Sequence, residues 1–340
     1  MLLCSLSRQD KLDIFNEAET QKHMLGQAIE KDWWVCTILK VLFSSRYSDY
    51  IVFKGGTSLS KGWHLIERFS EDIDIAIQRD FFGYDNNLSK TQISDKLRRV
   101  SCAFVRTELK NAVSEGLLAL GVAKNQFNIS VEETSVTTVD PEKIYVEYES
   151  VYEGFSNEYI RPRVIIEAGA RSICKPTSSK TINSFVAEIF PNQPFADTGT
   201  LVKITPAERT FLEKAFLLHE EFHKPEDKIR SDRMSRHLYD LERMMNTPIS
   251  DVIGNTKIYD EILEHRRKFI GLKGFDYETL RHESIDFIPP KSIANAWKKD
   301  YQAMRESIIY GYSLTYEDLI ARIQELNCTF RNYSMPITSM

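Results

Sequence analysis

The run Ile51-Val52-Phe53, continued by Lys54-Gly55-Gly56-Thr57-Ser58 and followed by Asp72-Ile73-Asp74-Ile75, constrains this chain more than any other stretch. Three apolar residues read as a short buried strand, two glycines free the backbone for a turn, and a helix opens near Thr57. Backbone N–H groups at such a turn can point together at an anion, and phosphate suits them. In Asp72-Ile73-Asp74-Ile75-Ala76-Ile77, strict alternation places Asp72, Asp74 and Ala76 on one face of a strand and the isoleucines on the other. The two carboxylates then stand about 7 Å apart along the backbone and converge on one site.

Hard carboxylate oxygens at that separation suit Mg²⁺ or Mn²⁺, with water and substrate phosphate completing the shell. A phosphate-cradling turn joined to a metal-binding pair is the equipment of a nucleotidyltransferase, with an NTP as substrate. The competing account is an edge strand carrying two solvated aspartates after an ordinary turn. Against it, Asp is depleted in strands, and like charges on one face repel. Two-metal chemistry calls for a third carboxylate. Glu167 is the candidate, a lone acid in Arg163-Val164-Ile165-Ile166-Glu167-Ala168-Gly169-Ala170-Arg171; the alternative is a Glu at a strand end paired with Arg163 or Arg171.

A chain of 340 residues is long for one core, so two domains are expected, divided as 1–195 and 196–340. Hydrophobic residues at 42% and charged residues at 27% belong to a folded protein, not a disordered one. No run of about 18 apolar residues occurs, and no apolar region backs the Met1-Leu2-Leu3 start, so the expectation is a cytoplasmic protein with no membrane span and no signal peptide. The five cysteines are scattered without a Cys-x-x-Cys pair, which argues against a disulfide frame and structural zinc. Net charge is −5, and neither side of residue 200 is strongly basic, which argues against broad binding to a long polyanion. Arg266-Arg267-Lys268 and Lys298-Lys299 could grip a short stretch of nucleic-acid backbone, or be solvated helix faces.

The order of patterns is α+β. Helices precede residue 45, ending with Ile29 to Phe43; strand, turn, helix and strand occupy 50–77. Helix follows over about 89–120, then strands between about 127 and 190, including Tyr145 to Val151 and Val164 to Ala168. Pro191, Pro194 and Gly199 mark a linker, beyond which the pattern is helical almost to the end. Thr205-Pro206-Ala207-Glu208 reads as a capping box with proline at the first helical position. On that helix Arg209, Glu213 and Glu220 share a narrow stripe while apolar residues cover most of the rest, so it must lie between layers. Lys214 falls at the apolar margin, where an ammonium needs an anion, such as a nucleotide triphosphate, or else snorkels to water. His219 reads as a satisfied core residue. In the next helix Met234, Leu238, Leu241 and Met245 form the core stripe, and Asp240 lies opposite among Arg233, Arg236 and Arg243, which reads as a solvated ladder.

Four segments together resemble the AbiEii/MenA family of nucleotidyltransferase toxins of type IV toxin–antitoxin and abortive-infection systems. They are Glu30-Lys31-Asp32-Trp33-Trp34-Val35, the block from Lys54 to Ile75 with its Arg68-Phe69-Ser70-Glu71 lead-in, Glu208 to Lys214, and Ser235 to Leu241. The resemblance implies a nucleotidyltransferase-type mixed sheet with flanking helices, followed by a mostly α-helical C-terminal domain. It implies that Gly55, Gly56, Thr57 and Ser58, with Lys214, hold the triphosphate, that Asp72 and Asp74 bind Mg²⁺, and that Lys214 and Asp240 are the family's essential helical lysine and late aspartate. It also implies a partner antitoxin, AbiEi-like and encoded beside the toxin, and an RNA acceptor, the 3′ end of tRNA, whose modification blocks translation in phage defence. Glu167 or Asp240 would take the acceptor's proton. A nucleotidyltransferase acting on a small molecule or on a protein hydroxyl would share the same turn and aspartates.

Overall fold

The computed structural model describes residues 3–85, 87–132, 141–153 and 160–333, which leaves the Met1-Leu2 start outside. The chain forms two compact units, one of Met1–His64 with Phe69–Thr205, the other of Leu65–Arg68 with Pro206–Met340.

The first unit holds α1 (Arg8–Lys22), α2 (Gly26–Ser44), β1 (Ile51–Lys54), α3 (Gly55–Lys61), β2 (Ile73–Ile77), α4 (Arg98–Phe104), α5 (Lys110–Ala119), β3 (Phe127–Val131), β4 (Glu142–Tyr148), β5 (Arg163–Gly169), β6 (Ser178–Ile182), α6 (Phe185–Ile189) and β7 (Thr200–Ile204). The strands make one seven-stranded sheet ordered β3-β4-β5-β2-β1-β7-β6. It is mixed: β2 runs parallel to β5 and β1 parallel to β7, and the other neighbours are antiparallel. The expected α+β class is what the chain adopts.

Alternation explains the sheet's two faces. Phe53, Ile73, Ile75, Ile144, Val146, Val164, Ile166 and Ala168 are buried on one face, while Lys54, Asp74, Lys143 and Glu167 occupy the other and are partly exposed. Trp34 of α2 stacks on Tyr148 of β4 at 4.9 Å between ring centroids. The helical stretch expected over 89–120 is present, with π-helical segments at Gln92–Leu97 and Val105–Leu109 flanking α4.

Two strand expectations need correction. The strand expected at Tyr145 to Val151 lies at Glu142–Tyr148, in register with β5 from Glu142↔Ala168 to Glu147↔Arg163. The chain leaves the ladder after Tyr148 because the Glu30 carboxylate takes the Ser150 hydroxyl and the Val151 N–H. β7 was not expected at all, being hidden between Gly199 and Thr205-Pro206, yet it pairs with β1 through Phe53↔Ile204.

The second unit is helical: α7 (Ala207–Phe222), α8 (Arg236–Met245), α9 (Thr256–His265), α10 (Ala294–Ser307) and α11 (Tyr316–Arg331). α7 is buried on nearly every side, as its wheel requires. Phe211, Phe216, Tyr259, Phe287 and Phe330 form its aromatic centre. The capping box does not form: Pro206 takes the cap position with no side-chain hydrogen bond, and the Thr205 N–H is drawn to the Phe53 carbonyl.

Candidate active site

In the first unit, strand register lines up a charged row. Lys143 on β4 is opposite Glu167 on β5, Glu167 is opposite Asp74 on β2, and Asp74 is opposite Lys54 on β1. Register partners on neighbouring strands share a face about 4.8 Å apart, so cation, acid, acid and cation stand side by side. Asp72, two residues before Asp74, is half-buried and precedes β2. Lys143 Nζ is 3.8 Å from Glu167 Oε1 and 3.9 Å from Glu132 Oε1, so the Glu that interrupts the apolar run has a cation beside it.

Gly55 is required twice over. Its φ is +78°, and a Cβ built there would sit 1.9 Å from Asp74 Oδ2. The Asp74 carboxylate therefore rests on the backbone of the turn. Thr57 and Ser58 use their hydroxyls internally. Thr57 Oγ1 lies 2.8 Å from Ser70 Oγ and donates to the Asp72 carbonyl at 2.5 Å; Ser58 Oγ donates to the Gly55 carbonyl at 2.8 Å. The Thr57 hydroxyl thus ties the turn to the segment entering β2.

Mg²⁺ asks for one or two carboxylates and keeps water and phosphate ligands. Asp74, whose carboxylate rests on the Gly55 backbone, and Asp72, two residues before it, are residue types that fit that demand. Among the described residues no group of three or more His, Cys, Asp or Glu stands close enough to hold a metal; Glu167 is opposite Asp74 on the next strand.

The second unit contains a buried charge cluster. Asp240 is fully buried and accepts from Arg68 Nε at 2.7 Å and Arg68 Nη2 at 2.8 Å, while Lys214 Nζ lies 2.8 Å from its Oδ2. The solvated ladder expected for Asp240 is thus replaced by an enclosed pair of ion pairs, and Arg243 turns to Glu67 at 3.0 Å instead. Burial alone would raise the Asp240 carboxyl; the Arg68 guanidinium and the Lys214 ammonium outweigh it and hold it well below the usual carboxylate range. Lys214 needed an anion, and Asp240 is one. Burial still leaves its ammonium below the ordinary lysine range, because Asp240 is shared with Arg68 and because Arg68 and Arg236 repel it. His237 Nδ1 is 3.2 Å from Lys214 Nζ, and burial with the Lys214 charge keeps the ring well below its ordinary value. The ring is then neutral, and Nδ1 accepts from the ammonium.

His219 is a satisfied core residue, as expected: its Nδ1 accepts from the Asp286 N–H at 2.8 Å and Nε2 faces Thr279 Oγ1 at 2.9 Å. Arg68, His237, Lys54 and Lys143 were not singled out as site residues from sequence. Arg68 meets an acid 172 positions away, and no local pattern carries that. Lys54 and Lys143 are visible only once register is known.

No helix among the described residues is long and apolar enough to cross a membrane. No curated protein matches the sequence. Among solved structures, MenT4, a nucleotidyltransferase toxin from Mycobacterium tuberculosis, is similar at 15% identity and a TM-score of 0.46, covering 96% of this chain and 100% of that one. The model of the AbiEii nucleotidyl transferase toxin, type IV toxin–antitoxin system, matches residues 37–322. That match takes in β1, the glycine turn, both aspartates, Glu167, Lys214 and Asp240, and the chain belongs to the AbiEii nucleotidyltransferase toxin family.

Proposed function

We propose that this toxin transfers a nucleoside monophosphate from an NTP to an acceptor hydroxyl at the 3′ end of tRNA, releasing pyrophosphate and so blocking translation. The observation that carries the reading is the placement of Asp74 directly on the Gly55 backbone, with Asp72 two residues before it. The Gly55-Gly56 turn binds the triphosphate through backbone N–H groups, and Thr57 keeps that turn at a constant distance from Asp72. Asp72 and Asp74 would hold Mg²⁺, which would supply charge neutralisation in the displacement. Glu167 accepts the proton of the attacking hydroxyl. Asp240 is unsuited to that step, since a buried carboxylate held low by two cations is a weak base. Its place is to hold Lys214 within the helical unit, 2.8 Å away.

Incubating the protein with each α-labelled NTP, Mg²⁺ and total RNA, then sizing the labelled species, tests this directly. Label is expected at tRNA size, and Asp74→Asn is expected to abolish it, by on the order of a thousandfold or more, while leaving the circular dichroism spectrum unchanged. Label migrating with protein or with a small molecule would reassign the acceptor. Growth inhibition that survives Asp74→Asn would remove the catalytic account of toxicity.

A further inference from the structure

The Glu30-Lys31-Asp32 triplet has no part in the reaction above, yet its residues are only 2%, 3% and 2% exposed. Successive helical residues fan out by about 100°, so three buried charges in a row must meet three different segments. Glu30 accepts from the Ser150 hydroxyl and the Val151 N–H beyond β4. Asp32 accepts from the Phe185 N–H at the start of α6 and stands 2.8 Å from Nζ of Lys61, the last residue of α3. Lys31 Nζ donates to Glu71 Oε2 at 2.5 Å, with side chains 3% and 12% exposed. Glu71 is covalently joined to Asp72, whose carbonyl is held by Thr57 of α3. One turn of α2 therefore grips both the helix that follows the glycine turn and the chain entering β2.

We propose that Lys31 is a positioning residue for the Asp72 carboxylate, acting through its ion pair with Glu71. The inference rests on the reading that Asp72 and Asp74 hold a divalent ion. With the tether in place the Ser70–Asp72 backbone has a single course into β2, and the Asp72 side chain leaves it in one direction. Without it, that segment loses the hold of α2 and keeps that of Thr57. Outer partners of metal ligands set affinity by roughly ten- to a hundredfold, and Lys31 occupies that position at one remove.

The test titrates Mn²⁺ alone into the full-length protein and follows the free aquo ion by electron paramagnetic resonance. Lys31→Met combined with Glu71→Met removes both charges while keeping volume, so it isolates the tether from the cost of an unpaired buried charge. This double variant is expected to keep its thermal midpoint and to lose Mn²⁺ affinity by on the order of tenfold or more; Lys31→Arg, which preserves the pair, is expected to bind as wild type does. Wild-type affinity in a folded double variant overturns the positioning role. Mn²⁺ binding that Asp74→Asn leaves untouched overturns the metal reading itself, and the inference with it. Should the double variant not fold, Lys31→Gln decides the matter by kinetics. A raised metal requirement with unchanged KM for NTP supports the tether, and a fall in kcat at an unchanged metal requirement overturns it.

Discussion

Single residues in this protein are constrained by what sits against them, and the constraint differs in kind between the two units. Gly55 has both a left-handed backbone and a carboxylate in the place of a side chain. Gly55→Ala is therefore expected to cost about 1–2 kcal/mol of stability from the backbone alone, measured by urea unfolding, and to lose nucleotide transfer far more severely because Asp74 must move. Asp240 is constrained by charge. Asp240→Asn leaves Arg68 and Lys214 buried without their shared anion and is expected to destabilise by about 3–5 kcal/mol; Lys214→Met leaves the Arg68–Asp240 pair whole and is expected to cost clearly less. Equal losses in urea unfolding would contradict the shared-anion account. The residue types at these places were visible in sequence, because two glycines before a strand-borne Asp-x-Asp have a recognisable chemistry. The identity of their neighbours was not, since Asp240 meets an arginine 172 residues earlier.

At the scale of elements, α7 shows what periodicity can and cannot carry. Its wheel, apolar almost all round, correctly demands burial on several sides, but the partners of its polar residues come from segments that no wheel contains. Glu220 meets Arg266 at 2.5 Å, Lys214 meets Asp240, and His219 meets Thr279 and Asp286. Burial, with the neighbouring His223 adding to it, lowers the His219 ring from its ordinary 6.5 to about 4. In the unfolded chain this ring takes a proton near 6.5, and in the folded chain not until about 4. Its contribution to stability is thus fully present above the unfolded value and is lost as pH falls through that window, by up to about 3 kcal/mol. Chemical unfolding of wild type across pH 4 to 6.5 is expected to show falling stability with acid, and His219→Gln a flatter profile. β7 shows the opposite limit. Its five residues, Thr200–Ile204, sit between turn-forming residues and a proline, and only pairing with β1 and β6 makes them a strand.

For the molecule as a whole, chain order and compact units do not coincide. Leu65–Arg68 lies between α3 and β2 in sequence but belongs with the helical unit, where Arg68 bridges to Ile309 and pairs with Asp240. The helical unit is therefore incomplete as a contiguous piece. A fragment of residues 206–340 lacks Arg68, so Asp240 keeps one cation where it had two. The fragment is expected to be less stable than the same unit in the full chain by about 3 kcal/mol, seen as a lower midpoint in differential scanning calorimetry. An unchanged midpoint would show that the Arg68 pair contributes little.

Sequence by itself determined the α+β class, the strand, turn and strand around Gly55 and Asp74, and the burial of α7, because each is written in local spacing: period two, period 3.6, and glycines where the backbone must turn; the family was legible only as the resemblance of four segments to the AbiEii toxins. Tertiary structure alone decided that Lys143, Glu167, Asp74 and Lys54 form one row, that Asp240 is enclosed between Arg68 and Lys214, and that Glu30, Lys31 and Asp32 each hold a different segment. The physical reason is that strand register and ion pairing act between residues far apart in the chain. A charged side chain carries its sign in the sequence, but its partner, and hence its energy, is set only when folding brings the two together out of water.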